Sequence, residues 1–139
     1  MCTSDPHIYA AGDVAEWQGK APGLWPVAVE QAEVAACNAL GEQRVYAEPV
    51  LSTMLKVVGA DVVSLGRFKP DVGDEVFADE DVATHRYRKL LISKGYCAGG
   101  ILIGWPVLND ALGRMVKGRR PVSADQLGRL RAGDWSTLL

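Results

Sequence analysis

The sequence has few of the residues that metal and disulfide chemistry need: 3 cysteines and 2 histidines in 139 residues. Cys2, Cys37 and Cys97 form no CxxC pair. With only His7 and His85 beside them they give no zinc spacing, and no iron–sulfur spacing is visible. An odd, scattered set of thiols suits a reducing cytoplasm. No two glycines stand two apart, so GxGxxG is absent, and there is no GxSxG. Gly113 and Gly118 have the spacing of a phosphate-binding loop, but Arg119-Arg120 follows where Lys-Ser/Thr is required. Neither histidine sits in a catalytic motif. Long apolar runs are missing too. The longest, Cys97 to Leu108, is too short to span a bilayer. The opening Met1-Cys2-Thr3-Ser4-Asp5 lacks the basic and apolar regions of a secretory signal. The sequence thus predicts no membrane partner and a cytoplasmic location.

Neither sign of charge dominates: 15 Lys+Arg face 17 Asp+Glu, and 48% of residues are hydrophobic. That balance supports a folded core and argues against disorder and wholesale nucleic-acid binding. The near-neutral sum hides an asymmetry. Residues 1–81 hold 14 acids and 5 bases, whereas residues 82–139 hold 3 acids and 10 bases. Two readings follow. The halves are solvated surfaces that attract each other, or the basic end docks an acidic protein or a phosphate-bearing ligand. That end comprises Arg114, Lys117, Arg119, Arg120, Arg129 and Arg131.

The pattern along the chain changes near Gly41. His7 to Ala11 is a short apolar run closed by Gly12-Asp13, which predicts a buried strand of the parallel kind. Gly19, Pro22 and Gly23 mark a loop. Trp25 to Leu40 predicts a helix, with Pro26 in its first turn and Gly41 as its stop. Ala28, Val29, Ala32, Ala35, Ala36 and Ala39 supply its small-residue face. Beyond, Val50–Val58 and Ala60–Ser64 are Val-rich and strand-like, and residues 69–80 read as a Pro/Gly/Asp-rich connection. Thr84–Ser93 and Tyr96–Trp105, joined at Lys94-Gly95, predict a β-hairpin. Val107–Lys117 has helical spacing. Pro121 breaks it, and Ser123 predicts the cap of a last helix to about Arg131. The fold class is α+β. A βα unit over residues 1–41 cannot bury its apolar faces alone, and a β-rich domain with terminal helices covers residues 42–139.

One motif carries chemistry. Thr3-Ser4-Asp5-Pro6-His7-Ile8-Tyr9-Ala10-Ala11-Gly12-Asp13-Val14-Ala15 combines an apolar strand with Ala-x-Gly-Asp. Such a strand delivers its turn to a sheet's carboxyl edge, where open α/β sheets bind ligands. Gly12 lets backbone come close to a ligand, and Asp13 accepts hydrogen bonds from hydroxyls.

This segment resembles the second flavin-binding motif of the FAD-dependent pyridine nucleotide-disulfide oxidoreductases. Trp25-Pro26-Val27-Ala28-Val29-Glu30-Gln31-Ala32 is similar to that family's Ala-x-x-Gln-Gly/Ala helix. The resemblance implies that the helix aims its N-terminus at the pyrimidine end of the flavin, where a positive dipole suits the reduced ring. The implied cofactor is FAD. The implied contacts are Gly12, Asp13, Val14, Trp25, Pro26, Val27 and Ala28, with no catalytic residue and no metal ligand. Leu51 to Gly66 resembles the start of the C-terminal domain of rubredoxin reductases and NAD(P)H nitrite reductase large subunits, which share Leu-Lys-Val-x-Gly-x-x-Val-x-Ser-x-Gly. The hairpin matches their later Ile-Leu-Ile-Gly strand, although Trp105-Pro106 stands where members carry an acidic or small polar residue.

The resemblance implies electron transfer from NAD(P)H through FAD to a protein or small acceptor. The nucleotide fingerprint, the NAD(P)H domain and any redox cysteine pair lie upstream in that family. The expected partners are therefore the missing N-terminal FAD/NAD(P)H domains or a redox protein. Part of a flavin site does not offset the cost of ordering FAD, so the fragment alone is expected to be inactive. The alternative is a non-catalytic interaction or assembly domain that docks a redox partner through its basic C-terminal end. Residues 1–41, short of sheet neighbours, predict a homodimer through that segment.

Overall fold

The computed structural model describes residues 1–57 and 59–139. It contains two compact units, Met1–Pro49 and Val50–Leu139.

The first unit is built around helix α1, Trp25–Ala39. Pro26 occupies its first turn, and Gly41, at φ 93°, ends it. The buried stripe is Val27, Gln31 and Ala35, spaced by four residues. Ala32, Ala36 and Ala39, expected on the packed face, are exposed. The turn at Gly12–Val14 packs on the helix through Gly12, Ala28 and Gln31, while the alanine face is exposed.

The expected strand at His7–Ala11 is absent as a strand. Tyr9 makes a single antiparallel bridge to Cys2, and Ile8 is exposed. A strand needs a ladder of partners, and this unit offers the run no neighbouring strand among the described residues. The Tyr9 hydroxyl instead donates to the Asn38 carbonyl at 3.2 Å. Residues 42–49 fold back along the unit. The Asn38 amide brackets Arg44, giving to its carbonyl at 3.0 Å and accepting from its N–H at 2.7 Å. Tyr46 is buried edge-on against Trp17, with ring centroids 5.3 Å apart.

The second unit is one antiparallel sheet with helices laid against it. Its strands are β1 Ser52–Val57, β2 Ala60–Gly66, β3 Glu75–Asp81, β4 Arg86–Ser93 and β5 Tyr96–Ile103, in the order β1-β2-β5-β4-β3. The Val-rich pair pairs as expected, Ser52 with Leu65, although Val58 lies outside the described residues. The hairpin β4–β5 closes on Lys94-Gly95, both at positive φ, the geometry of a two-residue turn that follows the sheet's twist. Leu65 pairs with Gly100 where β2 joins β5.

β3 is a correction to the sequence reading, which places residues 69–80 in a connection. It is an edge strand with one buried side chain, Phe77, so it lacks the apolar alternation that marks a half-buried strand.

Helix α2, Asn109–Lys117, lays Ala111, Leu112 and Val116 on the sheet. Gly100 makes room for it: a Cβ there would sit 2.9 Å from Leu112 and 2.6 Å from the Lys89 carbonyl. The core joins Val63, Leu65, Leu90, Ile92 and Leu102 to Leu112, Val116, Leu130 and Trp135. Each large apolar side chain removed from water there contributes about 1.5–3 kcal/mol. Helix α3, Ala124–Arg131, starts in a reciprocal cap. Ser123 Oγ accepts the Gln126 N–H and Gln126 Oε1 accepts the Ser123 N–H, each at 3.1 Å. No helix among the described residues is long and apolar enough to cross a membrane.

Candidate functional site

The expected site residues fall into two short segments that pack together. Gly12–Val14 forms a 3-10 turn, closed by the Ala15 N–H on the Gly12 carbonyl at 2.9 Å. Gly12 sits at φ 76°, where a side chain is strained. A Cβ there would lie 3.3 Å from the Ala28 Cβ on the first turns of α1. The two segments are also tied by a hydrogen bond: the Gly12 N–H donates to Gln31 Oε1 at 2.8 Å. Gln31 is 1% exposed and is the one buried polar side chain among the described residues.

The turn and the helix start leave donors unspent. Among the described residues the backbone N–H groups of Asp13 and Val14, and those of Trp25 and Val27, have no partner. A helix start leaves such groups free for an anion or a polar ligand edge. The Gly12 N–H, by contrast, is committed to Gln31. Asp13 is exposed, and its carboxylate takes no hydrogen bond or ion pair among the described residues. Val14 and Trp25 are each about four-fifths exposed, Pro26 is exposed, Ala28 is half-buried, and Val27 is buried beneath the helix.

Sequence reasoning gave Gln31 no part in the site. The signal was its spacing: four residues from Val27 and four from Ala35, on the stripe that packs. Tyr46 was missed as well. It is buried, its hydroxyl has no hydrogen-bond partner among the described residues, and burial pushes its pKa up.

At the C-terminal end the expected basic cluster divides. Arg129 pairs with Asp134 and Arg131 with Glu75, at 2.8 and 2.6 Å. Arg114, Lys117, Arg119 and Arg120 make no ion pair among the described residues. Arg88, in the second unit, lies between the rings of Trp105 and Trp135, at 4.1 and 4.5 Å, and pairs with Asp79.

Comparison with known proteins places the second unit. Its residues 52–106 match the family described as the rubredoxin NAD+ reductase C-terminal domain. These residues belong to that family. The chain is 47% identical over 77 residues to NADH-rubredoxin oxidoreductase of Clostridium acetobutylicum, a match over 55% of this chain and 20% of that protein. It is 35% identical over 124 residues to the NAD(P)H nitrite reductase of Bacillus subtilis, over 88% of this chain and 15% of that protein. The chain therefore spans about a fifth or less of the curated relatives named here. The crystal structure of the Clostridium acetobutylicum NADH:rubredoxin oxidoreductase matches 87% of this chain and 32% of its own, with a TM-score of 0.61 and 32% identity. An NAD-dependent persulfide reductase from A. fulgidus shares the fold at a TM-score of 0.63 and 24% identity. The rubredoxin reductase C-terminal domain of these NAD(P)H-dependent oxidoreductase relatives thus includes the β1–β2 pair and the β4–β5 hairpin. The Gly12 turn and α1 lie outside residues 52–106.

Proposed function

We propose that residues 1–49 form one wall of an FAD site in an NAD(P)H-dependent oxidoreductase that carries the rubredoxin reductase-type domain. The carrying observation is the Gly12 turn, held on the start of α1 by the Gln31 hydrogen bond. That seat leaves the Asp13 carboxylate and four backbone N–H groups without partners among the described residues. The residues fit the cofactor chemically. Only glycine suits the turn without strain, and the remaining groups are a hydroxyl acceptor and donors for an electron-rich ring.

Asp13 would hold hydroxyls of the ribityl-pyrophosphate region. The N–H groups of Trp25 and Val27, at the positive end of the α1 dipole, would donate to the pyrimidine end, with Ala28 beside them. Val14, Trp25 and Pro26 would cover the bound ring. FAD would supply the two-electron redox chemistry when bound, and the acceptor of the whole oxidoreductase would be a protein or a small molecule. Residues 1–139 alone do not retain the cofactor, because one wall cannot offset the cost of ordering it.

The purified 139-residue chain is therefore expected to be colourless. It gains flavin absorbance when a chain carrying the nucleotide-binding domains is supplied. In that assembly Asp13→Ala is expected to lower FAD affinity about tenfold, the value of one charge-assisted hydrogen bond. Unchanged flavin content after extensive dialysis counts against this role.

A second reading is an interaction domain whose basic end docks an acidic redox partner. It is supported by the four cations at 114–120 that have no ion pair among the described residues. Partner binding that weakens steeply with salt, by a chain that never takes up flavin, would favour it.

A further inference from the structure

A cleft of about 450 Å³ opens in the second unit where the β4–β5 turn meets the end of α2. The backbone fixes this meeting. The Val122 N–H donates to the Gly95 carbonyl at 2.8 Å, and Tyr96 bridges Pro121. The floor is apolar, formed by Cys97, Ala98 and Val116 with the flank of Tyr96. The Cys97 thiol is held neutral, since burial pushes its pKa up to about 11. Three cations line the rim: Arg67, Lys94 and Arg119. Arg67 is engaged by Asp71 and by Asp74, the latter at 2.8 Å, and neither carboxylate lines the cleft. Lys94 and Arg119 make no ion pair among the described residues.

The backbone at the two unpaired cations is unusual. Lys94 stands at φ 50° and Arg119 at φ 45°. Lys94 opens a turn whose first position favours asparagine. Arg119 takes the left-handed position after α2, which favours glycine, while Gly118 beside it has an ordinary helical φ of −78°. At both places a cheaper residue exists, and at both the chain carries a cation facing one cleft. Strained backbone of this kind collects at ligand clamps.

We propose that this cleft binds a small organic phosphate. The phosphate sits at the Lys94–Arg119 rim and the organic body lies on the Cys97–Val116 floor. The free guanidinium of Arg119 offers a phosphate two parallel N–H groups and Lys94 adds a point charge. The volume exceeds that of a bare phosphate and falls in the range of small-molecule sites.

The test is calorimetric titration of the full 139-residue chain with phenyl phosphate, inorganic phosphate and a hexaglutamate peptide. Phenyl phosphate is expected to saturate and to bind more tightly than inorganic phosphate. Lys94→Asn and Arg119→Gly each place the residue type that the backbone prefers. Both variants are expected to melt at or above the temperature of the unaltered chain while losing affinity for phenyl phosphate about tenfold. Retained affinity in both variants, or no saturable binding to the unaltered chain, would overturn the assignment. Tighter binding of hexaglutamate than of phenyl phosphate overturns it too, in favour of an acidic protein partner.

Discussion

The two units solve the same problem with different means. Val50–Leu139 buries apolar side chains from the sheet and from the helices laid on it: sheet residues such as Leu90 and Leu102, α2 residues such as Leu112, and Trp135 near the end of the chain. Met1–Pro49 has one helix and a few loops. Its buried set is Ala15, Val27, Ala35, Tyr46 and one amide, Gln31. The first kind of unit draws its stability from area removed from water. The second depends on hydrogen bonds such as Gly12 to Gln31 and Arg44 to Asn38, whose net contribution is about 0.5–1.5 kcal/mol each. It also leaves Val14, Trp25, Val29 and Leu40 exposed. A segment with so little core of its own gains order from what covers it.

The strongest way to break this comparison is to divide the chain. Residues 50–139 alone are expected to melt cooperatively, whereas residues 1–49 alone show no cooperative transition. Sedimentation of the same species tests whether the exposed face of the first unit pairs with itself. The full chain is expected to dimerise and residues 50–139 to remain monomeric; monomers in both cases would remove the self-association.

A single core substitution should come next. Leu90, 1% exposed, packs in the centre of the second unit. Leu90→Ala is expected to cost about 2–5 kcal/mol in denaturant melts, while amide exchange at α1 stays unchanged. An equal loss of protection in both units would show that they do not stand apart energetically.

Gln31→Leu sharpens the other side. It keeps the volume but strands the Gly12 N–H, a loss of about 1–3 kcal/mol confined to the first unit. Hydrogen exchange at Gly12 should accelerate, with the melting of residues 50–139 unmoved. Gln31→Glu retains an acceptor and should restore part of the protection.

The smallest effect concerns acid. The Asp71 N–H bonds the Asp74 carboxylate at 2.8 Å, and Arg67 pairs with it at 2.8 Å. Together these hold its pKa below the usual carboxylate range, the backbone N–H first. A depressed folded-state pKa gives stability that is present above the unfolded value. It is lost as pH falls through the folded one. The melting temperatures of the unaltered chain and Asp74→Asn should therefore converge in the window below about pH 4, the ordinary carboxylate value. A constant gap across that window would mean that the carboxylate contributes no proton-linked stability.

Much of this architecture was legible in the sequence because local signals coincided with tertiary ones. Lys94-Gly95 between two apolar runs specified the hairpin, Pro26 and Gly41 bracketed α1, and Ser123 marked the last cap. The failures share a cause. β3 is an edge strand whose pairing with β4 is set by backbone, so only Phe77 carries a hydrophobic signal. His7–Ala11 has the composition of a strand, but composition does not supply a ladder partner. The alanine-rich face of α1 drew attention away from the Val27–Gln31–Ala35 stripe that packs. At the candidate site the Gly12-Asp13 turn and the helix start were readable from the motif. The amide that ties them, Gln31, stands within the helix pattern, but the pattern alone does not mark it as the tie.

The order of the sheet carries a consequence for how the second unit is made. The β1–β2, β3–β4 and β4–β5 pairs all join neighbours in sequence, and local hairpins of this kind close in about 1–10 μs. The seam between them is different. Leu65 must find Gly100, with all of β3 and β4 strung between the partners, and the loss of chain freedom comes before any contact repays it. The central β2–β5 ladder is thus the kinetic bottleneck. Until it forms, a hairpin and a three-stranded meander with bare inner edges coexist, and that interval is when the chain is most open to pairing with the wrong strand.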